Sequence, residues 1–61
     1  MNNNYEIEIK VNGNWINPLC FKDLVMAKLT YNFYRDAMQL MNIEEMFLIS
    51  YVGEQRILAE N

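Results

Sequence analysis

The chain has 61 residues, with five Lys or Arg, eight Asp or Glu, one Cys and no His, giving a net charge of −3 and 52% hydrophobic residues. One domain fits that length and two do not. The lone Cys20 excludes an internal disulfide framework, the lack of His excludes a His/Cys zinc or haem site, and the high apolar content with small net charge excludes a disordered chain.

A domain near 60 residues buries only about 60% of the surface its unfolded chain exposes, so its stability is marginal. Small domains of this kind gain stability from disulfides, a metal or a second subunit. With the first two excluded, self-association or a standing partner is the expectation that composition alone sets.

The first residues, Met1-Asn2-Asn3-Asn4, have neither the basic nor the apolar region of a signal peptide. Residues 1–4 read as a flexible tail on a single compact domain spanning 1–61. A chain that opens on its own Met is expected to be a complete small open reading frame. The longest apolar runs, Leu24 to Ala27 and Met46 to Ile49, fall far short of the roughly 20 residues that span a bilayer. A cytoplasmic protein with no membrane contact is expected.

Tyr5, Ile7, Ile9 and Val11 alternate with Glu6, Glu8 and Lys10, the period of a strand with one wet and one buried face. Asn12-Gly13 follows, a hairpin signal because both residues accept positive φ, and residues 14–16 return. A two-residue loop there places Ile16 opposite Ile9 in the core and Trp15 beside Lys10 outside. A three-residue loop places Trp15 opposite Ile9 instead. Asn17-Pro18 closes the hairpin and opens a helix expected over about 20–41. Its N-cap is either Asn17, with Pro18 at the first helical position, or Cys20 with Asp23 three residues on. Asn42 suits the left-handed cap at its end. From Met46 to Val52 the chain is rich in β-formers, Gly53-Glu54 suits a type II′ turn, and residues 56–59 return, pairing Tyr51 with Arg56 and Ile49 with Leu58. The expected class is α+β, a two-layer ββαββ domain with one helix on a small, largely antiparallel sheet of about four strands.

Set at 100° per residue, the helix confines Lys28, Asn32, Arg35, Asp36 and Gln39 to roughly 120°, leaving an apolar face of roughly 220° where little more than 100° is needed to cover a core. One flank holds Met26, Leu29, Phe33, Ala37 and Leu40; the other holds Leu24, Ala27, Tyr31, Tyr34, Met38 and Met41. Either the curling sheet and N-terminal arm cover both flanks, or one remains for a partner. The second flank, rich in Tyr and Met at 3-4 spacing, is read as the seam for a second copy or another protein. In β-hairpin two, Phe47, Ile49 and Tyr51 alternate with Met46, Leu48 and Ser50, as in a central strand with a partly shielded second face.

Chemistry is sparse. There is no His for general acid–base work, and Ser50 and Thr30 have no base to activate them. Glu44-Glu45 would point to opposite faces of a strand. Cys20 at a helix N-terminus is the best reactive candidate, but without a resolving Cys or His it reads as a small buried apolar residue next to Leu19 and Phe21. No catalytic residue, cofactor or metal is expected. A nucleic-acid platform of Trp15 and Tyr51 beside Lys10 and Arg56 is the alternative, opposed by the excess of acids; Tyr51 and Arg56 also read as a cross-strand cation–π pair. Glu6 and Glu8, about 6.8 Å apart on one strand face, read either as an acidic contact surface that, together with Glu54, Glu60 or Glu44, imitates a nucleic-acid backbone, or as a solvated face that protects an edge.

The expected function is a non-catalytic protein-binding module that acts by occluding a surface and forms a homodimer through the helix seam. No motif is specific enough to name a family. In general character the chain resembles the short accessory proteins of phages and mobile elements, which implies inhibition of a host enzyme, for instance a nucleic-acid-processing one. A single-stranded nucleic-acid binder and a structural subunit of a larger assembly are the alternatives.

Overall fold

A computed structural model describes residues 4–60, with side chains through Leu58. The elements are β1 (Tyr5–Val11), β2 (Asn14–Trp15), β3 (Leu19–Phe21), α1 (Leu24–Asp36), β4 (Ile43–Val52) and β5 (Gln55–Glu60). The class is α+β, one helix on an antiparallel sheet ordered β2-β1-β4-β5, with β3 also paired to β1. Where ββαββ was expected, the elements run βββαββ, with β2 and β3 standing in the place of the single return strand.

The extra strand follows from Pro18. Asn12 and Gly13 hold φ of 53° and 81°, a two-residue type I′ turn that pairs Lys10 with Trp15 and Val11 with Asn14. The return strand runs on until Ile16 N–H donates to the Ile9 carbonyl at 3.0 Å. Pro18 has no N–H to continue the ladder. Pairing resumes at Leu19 with the register lengthened by one residue, Ile7 against Leu19 and Glu6 against Cys20. β2 and β3 are thus one return strand interrupted at a bulge, where proline is tolerated.

Residues 19–21 therefore lie in the sheet where a helix start was expected. Neither Asn17 nor Cys20 caps α1; Asp23 does, its Oδ1 accepting from Val25 N–H at 3.3 Å. The helix ends at Asp36, earlier than 41, and residues 37–42 form turns. Asn42 does take the left-handed conformation, at φ 57°, but it launches β4 instead of capping the helix, with Ile43 N–H donating to the Met38 carbonyl at 2.9 Å. Asn4 is no part of a loose tail: its N–H donates to Phe21 O at 3.1 Å and its carbonyl accepts from Tyr51 N–H at 2.8 Å. The rest of the expected tail, residues 1–3, lies outside the described residues.

The second hairpin has the expected register, Tyr51 against Arg56 and Ile49 against Leu58. Gly53 has φ 64° and Glu54 has no positive φ, the pattern of a II′ turn. Pairing of β1 with β4 sets the layers. Ile7 and Leu48, with Ile9 and Met46, share the face toward α1, where they pack with Ile43, Ala27 and Tyr31 as the core. Glu8 and Phe47, with Glu6 and Ile49, share the back. β4 is a central strand, as its two apolar faces suggested.

Candidate functional site

The wide apolar face of α1 is divided between core and solvent, but not in the expected sense. Ala27 is 0% and Tyr31 2% exposed against the sheet, and Tyr34 and Met38 are half-buried beside them. Those residues were assigned to the partner seam, so Ala27 and Tyr31 are removed from it. Leu24 and Met41, at the ends of the same flank, retain partial exposure. The opposite flank is bare: Met26 is 52%, Leu29 59% and Phe33 65% exposed, with Val25 beside them. The reason is local. Ala27 has only a Cβ, so the helix backbone approaches the sheet closely there, and Tyr31 one turn on fills the space. The Met26 flank has no small residue within the helix to allow that approach, a signal present in the sequence.

Met26, Leu29 and Phe33 stand at i, i+3 and i+7, forming one stripe along the outer side of α1. Phe33 meets Tyr34 edge to face at 5.4 Å between centroids, which orients its ring at the margin of the core. Leu40 is also exposed, but beyond the helix end it no longer continues the stripe. Thr30, next to the stripe, returns its hydroxyl to Met26 O at 2.8 Å. Arg35 lies over the Tyr31 ring at 5.9 Å.

The back of the sheet carries the second candidate surface. Trp15 is half exposed, settling its position as surface, and stacks on Phe47 at 5.9 Å between centroids. Ile16, which the two-residue loop was expected to place in the core, is 46% exposed, next to the break between β2 and β3. Trp15, Ile16, Pro18, Phe47, Ile49 and Leu58, with Glu8 and Arg56, line an open groove of about 850 Å³.

The expected nucleic-acid platform does lie on this one face, but its cations are engaged. Lys10 sits over Trp15 at 5.8 Å and pairs with Glu45 at 3.4 Å. Arg56 pairs with Glu8, and it also acts by charge and hydrogen bonding on the phenol of Tyr51, its partner across the hairpin. The Glu6 and Glu8 acidic face is likewise occupied: Glu6 accepts from the Tyr51 hydroxyl at 3.0 Å and from the Cys20 thiol at 3.9 Å. Glu44 and Glu45 are divided by a bulge in β4, Glu44 accepting from Gly13 N–H at 3.0 Å in the first turn. The cross-sheet partners Glu8 and Glu6 were missed because nothing local links β1 to β5 or to Tyr51.

These pairings hold two protons in place. The hydrogen bond to Glu6 pushes the Tyr51 phenol above its ordinary pKa, aided by desolvation and the Glu6 charge and opposed by Arg56. Cys20 lies in β3 and not at a helix N-terminus, and its thiol is pushed up by desolvation first and then by Glu6. A raised pKa disfavours the thiolate nucleophile and no helix N-terminus lies at Cys20 to lower it, but the residue is exposed, not buried as its apolar reading required. Among the described residues, no group of three or more His, Cys, Asp or Glu is placed to hold a metal ion, and no helix is long and apolar enough to cross a membrane.

No protein-family model matches the chain, and neither does any curated protein or solved structure.

Proposed function

We propose that this protein is a non-catalytic binding module that lays the outer flank of α1 into an apolar groove of another protein and so occludes that surface. The observation that carries the reading is the bare stripe of Met26, Leu29 and Phe33, each more than half exposed. Their i, i+3, i+7 spacing is the anchor pattern of helix-in-groove recognition, and adaptable Met beside an aromatic is the composition enriched at protein interfaces. The scaffold supports such a role: the sheet holds the helix from the opposite side through Ala27 and Tyr31, so the anchors are presented on a rigid element at little ordering cost.

Homodimerisation through the helix is the same reading with a second copy as partner, moved to this flank from the one the sequence suggested. Inhibition of a host enzyme is the form that surface occlusion takes for the small accessory proteins that this chain resembles in general character.

Matched baits test the proposal. Wild-type protein and Phe33→Glu are immobilised side by side and exposed to an extract of the source cells. A protein retained by the wild type and lost with Phe33→Glu, while both baits unfold at similar temperatures, is the expected result. Loss of a central aromatic anchor costs about 2 kcal/mol or more, roughly a 30-fold weakening. Identical retained proteins on the two baits would refute the helix stripe as the contact.

A further inference from the structure

We draw no further inference here: the strongest candidate, the open apolar groove on the back of the sheet between Trp15, Phe47 and Leu58, carries nothing, because Glu8 and Arg56, which line it, are paired with each other and nothing in the structure shows what covers it.

Discussion

Truncating Tyr31 and Phe33 to alanine asks the helix which way it faces. Tyr31 is 2% exposed and Phe33 65% exposed, two positions apart. A buried aromatic removes about 150–250 Å² from water, which at about 25 cal/mol per Å² is roughly 4–6 kcal/mol as an upper bound; core aromatic-to-alanine changes cost about 3–5 kcal/mol. At about 0.05–0.15 kcal/mol per residue, a chain of this length has only about 3–9 kcal/mol in total. Tyr31→Ala should therefore remove most of the stability. Phe33→Ala gives up little burial and gains helix propensity, so it should stay within about 0.5 kcal/mol of wild type. Urea unfolding followed by Trp15 fluorescence measures both, because Trp15 loses its Phe47 neighbour when the sheet opens. Equal losses in the two variants, or the reverse order, would show that the helix packs through its other flank and that the stripe is not a surface.

Other outcomes are specified as directly. Asp23→Ala should cost about 1 kcal/mol by removing the cap on Val25 N–H, whereas Asn17→Ala should cost far less; urea midpoints compare them. The raised Tyr51 pKa means that the folded state keeps a proton the unfolded chain gives up near about pH 10. Its contribution is full below that pH and fades as pH climbs through the higher folded value, so the unfolding midpoint of wild type should fall more steeply in alkali than that of Tyr51→Phe. Alkylation of Cys20 in neutral solution should be slower than that of free cysteine and should accelerate in Glu6→Gln, which removes the charge that helps hold the thiol protonated; a rate unaffected by that change would refute the coupling. Single-stranded oligonucleotide at low salt should leave Trp15 fluorescence unchanged, since Lys10 and Arg56 are already paired with carboxylates.

What the sequence determined by itself is the part governed by neighbours along the chain. Asn12-Gly13 and Gly53 supply positive φ where two-residue turns require it, and those turns carry the alternating strands into register, down to Tyr51 against Arg56. The apolar surplus of the helix over residues 24–36 was equally legible, but its extension through Ala37, Met38, Leu40 and Met41 was not, because the 100° spacing ends with the helix at Asp36. Tertiary structure decided the rest. Whether residues 19–21 begin a helix or extend the sheet depends on β1 offering Tyr5, Glu6 and Ile7 as partners, a choice local propensity does not make. Which flank of α1 turns inward depends on how closely the helix approaches the sheet, and Ala27 settles that only once a sheet is there to approach. The partners of Arg56 and Glu6 come from strands distant in the chain, joined through the pairing of β4 with both β1 and β5. Hydrophobic periodicity records how much surface a helix must hide, but the energy of hiding it is collected between elements, so only their assembly selects the side.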